Sequence, residues 1–497
     1  MKSKCIGILL CMLMISSVLP ITCSLNTDNE KKIDREEDYV SSDVDWWPMF
    51  RHDSTHTGFS TSKAPNINTV LWANGTEGLI ESSPSIFDGK VYIGSDDKRI
   101  YCYDSSNGKE KWRFSTNGEV ESSVAVTNAK IFVGSKDDKL YCLNAENGSY
   151  IWSYTTSSDI TSSPIVTSYN VYVGSMDGNV YCLNAENGSF IWSYSTGDAV
   201  FSSPASLNER IYIGSADSKV YCLNAENGIE IWNYTTGDII QCSPSIFESK
   251  IYIGSYDTKF YCFNATTGDL LWNFTTDGAI RSSPAIAYGN VYFGSFDGIV
   301  YCLNASNGNQ LWNYTTGNII ESSPAVADGK VFIGSIDKKF YCLDALTGDY
   351  QWDYESDSEV RSSPSIADNT LYIGLSDSLY AFEYVEGFII EITKPARSLY
   401  INNRNMMELS FLEQFSWPFL KPWIIGYIDI EVQAADGDFG IQKVKFEIDG
   451  SVKETITEPP YIYRWDQPAI LLHDINVVAY NNHGDTKSDS VRVWKFF

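Results

Sequence analysis

From Glu81 to Ser115 the sequence "ESSPSIFDGKVYIGSDDKRIYCYDSSNGKEKWRFS" falls into four short runs rich in β-branched and aromatic residues, divided by the polar turn signals "DGK", "SDDK" and "SNGK". Runs of this length and composition between such turns predict strands joined as hairpins, so the segment reads as one four-stranded antiparallel sheet. The pattern then repeats. Trp72, Trp112, Trp152, Trp192, Trp232, Trp272, Trp312 and Trp352 recur every forty residues, and the series that begin at Gly94 and Asp97 keep the same spacing to Gly374 and Asp377. A sheet this small cannot bury both faces alone. Equivalent sheets stacked radially can, and closure into a ring leaves only short, protected edges. The chain is therefore predicted to be all-β, with an eight-bladed β-propeller over 46–385 whose tryptophans dock between blades.

The last unit, "VRSSPSIADNTLYIGLSDSLYAFEYV" (Val360–Val385), supplies three strands and lacks a tryptophan, while "NTVLWANGT" (Asn68–Thr76) carries Trp72 ahead of the first complete unit. Asn68–Thr76 is thus expected to be the outer strand of the last blade, an N-terminal strand fastening the ring.

Composition agrees with strands: aromatic residues make up 14% and charged residues only 20% of the chain. Lys2 and Lys4 precede an apolar run from Ile6 to Ile21, the pattern of a secretory signal peptide over 1–23, and 24–45, including the charged "NTDNEKKIDREEDYVSSD" (Asn26–Asp43), reads as a disordered tether. A lipid anchor at Cys23 is disfavoured because "LPIT" before it lacks the small residue such sites want. No transmembrane helix is expected in the mature chain. Loss of Lys2 and Lys4 with the leader moves the formal net charge from −27 to about −29, which repels nucleic acid and anionic membranes alike.

Cys102, Cys142, Cys182, Cys222, Cys262, Cys302 and Cys342 occupy one position on the third strand of seven successive units. With strands ~4.8 Å apart they stand ~16 Å from the axis and ~12 Å from one another. Bridging requires less than ~7 Å, so they form no disulfide framework and converge on no metal; they pack between blades as small apolar groups.

"LNAENGSYIW", "LDALTGDYQW" and "FNATTGDLLW" resemble the tryptophan-docking motif of the pyrroloquinoline-quinone-type (PQQ-like) propeller repeat, found in quinoprotein dehydrogenases and in BamB-type outer-membrane assembly lipoproteins. The resemblance covers roughly 46 to 385, and "WPMFRHDSTHTGFS" (Trp47–Ser60) is similar to the segment that precedes such propellers in exported members. The WD40 repeat fits poorly, since only Trp352 of the eight is followed by Asp and the Gly-His pair is absent. Quinoprotein dehydrogenases hold their cofactor with features that include a vicinal cysteine pair and a calcium site beside a catalytic carboxylate. No Cys-Cys dipeptide occurs here, so the resemblance implies the fold without the activity.

Histidine occurs only at His52, His56, His473 and His483, which excludes histidine-based nucleophile systems and zinc sites from the stretch Asn68–Val385. "HDSTH" (His52–His56) has the spacing of a helical metal pair but lacks a third ligand. No catalytic residue, metal or cofactor is expected.

A site is sought instead where the repeat breaks its own symmetry. The third position of "GSxD", on the turn between second and third strands, reads Asp96, Lys136, Met176, Ala216, Tyr256, Phe296, Ile336 and Ser376. The residue before "SSP" or its equivalent reads Glu81, Glu121, Thr161, Phe201, Gln241, Arg281, Glu321 and Arg361. Tyr256, Phe296 and Ile336 are expected side by side on one exposed rim, with Arg281, Glu321, Arg361 and Glu81 alternating in sign inward of them, the residue types of a partner-binding surface.

Past Phe388 the beat ends, and "YIDIEVQAAD", "IQKVKFEIDG" and "INVVAYNNHGDTKSDSVRVWKF" predict a small antiparallel sandwich over 388–497 that resembles the Ig-like domains of cell-surface proteins. "DGDFG" (Asp436–Gly440) reads as a plain turn, without the flanking ligands of a calcium loop. Asn74, Asn147, Asn187, Asn233, Asn264, Asn273, Asn304 and Asn313 head Asn-x-Ser/Thr sequons. The expected function is a secreted or cell-surface, non-catalytic scaffold that binds a protein or cell-envelope polymer, the alternative being a PQQ-dependent oxidoreductase.

Overall fold

The computed structural model describes residues 44–496 apart from 128, 168, 396–397, 409–421 and 437–439, so the leader, Cys23, the tether as far as Asp43 and most of "DGDFG" lie outside the described residues. The expected tether is corrected at its end, where Asp45 is ordered by bonds from Thr61 and His52. Among the described residues there is no helix.

Eight sheets succeed one another, each of four antiparallel strands, one of them extended by Phe59–Ser60, which pairs in parallel with the strand Ala325–Ala327. The first contains Ser85–Phe87, Lys90–Ser95, Arg99–Asp104 and Glu110–Ser115, running from innermost to outermost. Innermost strands of neighbouring blades touch around the ring, the third and fourth blades being joined just before theirs by Ser163 and Ser203, and the first, Ser85–Phe87, meets the last, Ser365–Ala367. The last sheet takes Val70–Gly75 as its outer strand, with Trp72 opposite Ala381, so the predicted closure by an N-terminal strand is the closure found.

The repeating residues make contacts that recur on most sheets, the bond from the indole N–H being absent at Trp152, Trp272 and Trp352. The indole N–H of Trp112 donates to the Ala145 carbonyl of the next sheet at 3.1 Å, as Trp232 does to Ala265. The ring lies under the "NG" turn of that next sheet: Gly148 has φ +68°, and a Cβ there would stand 2.5 Å from the Trp112 ring. The repeating Asp binds the 2–3 turn to the loop arriving from the preceding outer strand. Asp217 Oδ2, for example, accepts from the Tyr221 hydroxyl at 2.5 Å and from the Gly197 N–H at 2.7 Å. The second serine of "SSP" makes a ring around the axis, in which the N–H groups of Ser83, Ser123, Ser163, Ser203, Ser243, Ser283 and Ser323 each donate to the serine hydroxyl one blade on, at 2.8–3.0 Å.

The core is accordingly distributed between sheets: Tyr212, Cys222 and Trp232 of one sheet pack with Tyr261 and Phe263 of the next. The seven cysteines of the series are buried and unbridged, as is Cys242, which replaces a serine of the inner strand's lead. Burial pushes the Cys102, Cys142, Cys182, Cys222, Cys242, Cys262 and Cys302 thiols up to about 12, so they stay neutral and are poor nucleophiles.

After the ring come a three-stranded sheet (Phe388–Lys394, Ile428–Asp436 and Tyr461–Trp465) and a seven-stranded one that runs from Arg404–Glu408 at one edge to Ser451–Ile456 at the other. They share a core that includes Ile430, Phe446, Trp465 and Val477. The expectation of a purely antiparallel sandwich needs correcting: Trp423–Ile425 pairs in parallel with both Ser398–Ile401 and the C-terminal strand Thr486–Phe496. Parallel neighbours need a crossover of about a dozen residues or more, and the chain between Ile401 and Trp423 is long enough to provide one.

Candidate functional site

In an antiparallel four-stranded blade the 2–3 turn and the loop to the next blade lie at one end of the ring. The residues preceding "SSP" therefore meet the "GSxD" turns there. Arg281 Nη1 stands 2.7 Å from Glu321 Oε2, Arg361 Nη1 pairs with the same oxygen, and Arg361 Nε lies 3.9 Å from Glu81. The predicted alternation of sign is thus a continuous ladder over three neighbouring junctions. Glu321, at 12% side-chain exposure, is its most buried member.

Tyr256 and Phe296 meet edge to face at 5.6 Å, and the Tyr256 hydroxyl donates to Gln241 Oε1 at 2.7 Å. Ile336 occupies the equivalent turn one blade on. All three are half-buried, which corrects the expectation of exposed turn residues. The cause is local: the N–H groups of Tyr256, Phe296 and Ile336 donate to the carbonyls of Ile239, Ala279 and Ile319, pressing each turn onto the loop that enters its own blade. Burial raises the Tyr256 phenol, and Arg281 opposes that shift.

On the first two blades the rim changes character. Carboxylate oxygens of Asp96, Glu119 and Glu121 lie within 4.8 Å of one another, with Lys136 Nζ 2.8 Å from Glu119 and paired also with Glu121. Burial, then Glu81 and Glu121, push Asp96 up to about 6. Asp96, Lys136, Glu81 and Glu121 stand out in the sequence as variable positions. Their convergence with Glu119 was missed because Glu119 lies outside both series compared, although charged residues at variable positions of adjacent repeats were the available clue.

Sequence reasoning also missed what Trp47–Ser60 does. Past the serine ring, this segment straps the inner strands together. Trp47 exchanges two backbone bonds with Ile86, and the N–H groups of Val126, Ser206, Ile246, Ile286 and Val326 donate to the carbonyls of Pro48, Ser54, Thr55, Thr57 and Gly58. Arg51, fully buried, donates to the Pro284 carbonyl at 2.9 Å and to that of Pro324. Burial lowers it to about 9, so it stays charged at neutral pH. "HDSTH" is not helical, and its histidines part company: His52 lies 3.0 Å from Asp45 and 3.4 Å from Asp53, whereas His56 Nδ1 meets the Pro244 carbonyl at 3.0 Å and burial lowers it to about 4.

A quinone with calcium, of the kind quinoprotein dehydrogenases hold, does not fit the residues present. The acidic group at the rim already carries the Lys136 ammonium, the axis beyond the serine ring is filled by Arg51 and its strap, and the cysteines stand singly at repeat positions.

Comparison with known proteins places the fold. A model described as "Beta-alanine-activating enzyme, beta-propeller" matches 54–250, and one described as "Outer membrane protein assembly factor BamB" matches 236–321 and 296–387. No curated protein sequence matches the chain. Among solved structures, BamB from Moraxella catarrhalis aligns at 17% identity over 64% of this chain and 99% of its own, with a TM-score of 0.58. A europium-containing methanol dehydrogenase aligns at 14% over 68% of this chain and 98% of its own, TM-score 0.58. The quinohemoprotein alcohol dehydrogenase from Comamonas testosteroni aligns at 14% over 71% and 83%, TM-score 0.60. At such identities the likeness speaks for fold alone. Repeat, docking motif and fold together make residues 54–387 of this chain a PQQ-like β-propeller.

Proposed function

We propose that the chain is a non-catalytic, exported or cell-surface scaffold whose propeller binds a protein or cell-envelope polymer through the rim formed by Tyr256, Phe296, Ile336, Arg281, Glu321 and Arg361. Residues 388–497 serve as an Ig-like spacer or second contact. The observation that carries this reading is the half-exposed aromatic pair Tyr256–Phe296 beside the Arg281–Glu321–Arg361 ladder, at one of the places where the repeat abandons its symmetry. Aromatic and arginine side chains dominate binding energetics, and a strongly acidic surface elsewhere disfavours casual contacts.

The test is capture from native cell envelope by the wild-type chain and by the triple variant Tyr256→Ser, Phe296→Ser, Ile336→Ser. The triple change abolishes capture and costs about 3–6 kcal/mol, from the lost aromatic pair and three half-buried side chains, while cooperative unfolding is retained. Undiminished capture, or loss of the cooperative transition, refutes the assignment. The alternative, a PQQ-dependent oxidoreductase, draws on the similarity to solved methanol and alcohol dehydrogenases. Calorimetric binding of the quinone with calcium, together with dye-linked alcohol oxidation, would establish it over the scaffold reading.

A further inference from the structure

The outer strands of the propeller carry an unexpected apolar belt. The residue before the docking tryptophan is Ile151, Ile191, Ile231, Leu271 and Leu311 in the second to sixth blades, with 37, 39, 42, 46 and 50% of its surface exposed. In the blades of Trp192, Trp232, Trp272 and Trp312 the register of the outer strand shifts just before the tryptophan, leaving this residue out of the pairing. In four of these blades a second large apolar side chain, Tyr150, Phe190, Ile229 or Leu270, is exposed one or two residues earlier, and apolar groups exposed together are an association liability for any chain that must remain dispersed in water.

The same five blades carry the exposed sequons. In the second and third blades the acceptor is in the 3–4 turn, Asn147-Gly-Ser149 and Asn187-Gly-Ser189, four residues before the exposed isoleucine. In the fourth and sixth blades that turn loses its hydroxyl, reading Asn227-Gly-Ile229 and Asn307-Gly-Asn309, and in the fifth it begins with Thr267 in place of the asparagine. In all three a new sequon stands two residues beyond the aliphatic: Asn233-Tyr-Thr235, Asn273-Phe-Thr275 and Asn313-Tyr-Thr315. In each of these five sequons both the asparagine and the hydroxyl residue are exposed. Three other sequons differ in exposure: Asn74, whose amide donates to the Gly108 carbonyl at 2.8 Å, Asn264 and Asn304 are all half-buried, whereas Asn233 stays exposed although its amide donates to Glu230 Oε1 at 2.6 Å.

The blades without an exposed sequon need less cover. The first has Lys111 at the belt position, and the seventh has Gln351, whose strand lines a cleft of about 1070 Å³ against Gln433 and Pro460 of the C-terminal sheets. Neither contains an Asn-x-Ser/Thr triplet. The eighth, with Leu71 at 38% exposure and the engaged Asn74, is the partial exception.

We infer that Asn147, Asn187, Asn233, Asn273 and Asn313 are N-glycosylation sites, one per blade, and that their glycans cover the aliphatic belt. The donor class is an oligosaccharide on a lipid diphosphate, delivered by a separate transferase. The asparagine Nδ2 forms a bond to the anomeric carbon, the bond from that carbon to the diphosphate oxygen breaks, and the lipid diphosphate leaves with the electron pair. The amide gives up one proton to a base of the transferase. This inference rests on the export reading, because such transferases act on exported chains.

The experiment is glycopeptide mass spectrometry on the full chain purified from its native cells, with its compartment fixed by fractionation. Glycan on the five exposed asparagines, and none on Asn74, Asn264 and Asn304, is the expected result. Bare asparagines on exported protein overturn the glycan inference and leave export standing, whereas bare asparagines on cytoplasmic protein overturn both. Equal occupancy of all eight sequons overturns the selection by exposure. As a second measurement, the variant Asn233→Gln, Asn273→Gln, Asn313→Gln made in the same cells keeps the wild-type circular dichroism and binds a hydrophobic dye several-fold more strongly. Unchanged dye binding means the belt is not what the glycans cover.

Discussion

At the scale of single residues, the repeat uses each invariant side chain for one contact with a neighbouring blade. Trp232 is 9% exposed, lies beneath Gly268 and donates to the Ala265 carbonyl, so its stabilisation is nearly all inter-blade. Trp232→Ala is expected to cost ~3–5 kcal/mol in denaturant unfolding, the range for truncating a buried aromatic. A cost below ~1 kcal/mol would mean that the ring is not packed between blades. The strap supplies a pH dependence. Burial works against the charge on His52, but its hydrogen bonds to Asp45 and Asp53 outweigh that and raise it to about 9. The same bonds, with those from threonines, hold both carboxyls well below the usual range despite burial. A raised histidine contributes stability that is complete below ~6.5 and is lost as the pH rises through the folded value. The thermal midpoint is therefore expected to fall between about pH 7 and 9. His52→Gln should lower the midpoint at pH 6 and flatten that alkaline limb, and an unchanged limb in the variant would assign it to other groups.

At the scale of elements, the ring depends on one strand taken from far away in sequence. Val70–Gly75 completes the sheet of Ser365–Glu383 and carries Trp72, whose indole donates to the Ser105 carbonyl of the first blade at 2.9 Å. Deleting Asn68–Thr76 removes both the strand and the docking residue at the seam. Two blade edges then open. The expected outcome is loss of the cooperative thermal transition, followed by circular dichroism, and a retained wild-type midpoint would rule out this closure.

At the scale of the whole molecule, Trp47–Ser60 reaches the inner strands of six blades, so it couples parts of the ring that never touch directly. A chain beginning at Thr61 is expected to lose hydrogen-exchange protection first at the Val126, Ser206, Ile246, Ile286 and Val326 amides, whose acceptors it lacks. If those amides exchange no faster than in the full chain, the strap is not what holds them. The strap fastens the inner strands through its own carbonyls, whereas the ladder is built from side chains of the rim, so the fastening uses none of the groups proposed to bind a partner.

How much of this was legible beforehand follows from the range of each interaction. The forty-residue beat, the four strands per unit, the borrowed strand at Asn68–Thr76 and the solitary cysteines could all be read from the sequence. Each depends on local periodicity or on a motif count that is complete within one repeat. The sequence also placed Arg281, Glu321 and Arg361 in one row, because identical repeats turn a spacing of forty residues into spatial adjacency. Only the tertiary structure decided the rest. Arg51 is charged and would be read as exposed, yet the ring surrounds it with the carbonyls of Pro284 and Pro324, more than two hundred residues away. Tyr256, Phe296 and Ile336 are half-covered because their own entry loops fold back on them. Trp423–Ile425 pairs in parallel with Ser398–Ile401 and with the C-terminal strand, about twenty and seventy residues away in sequence. For Arg51 and Trp423–Ile425 the deciding partner lies outside the repeat unit, where periodicity carries no information, and for the three turns it is a loop of the same unit whose folding back no spacing records, so only the folded chain brings the groups together.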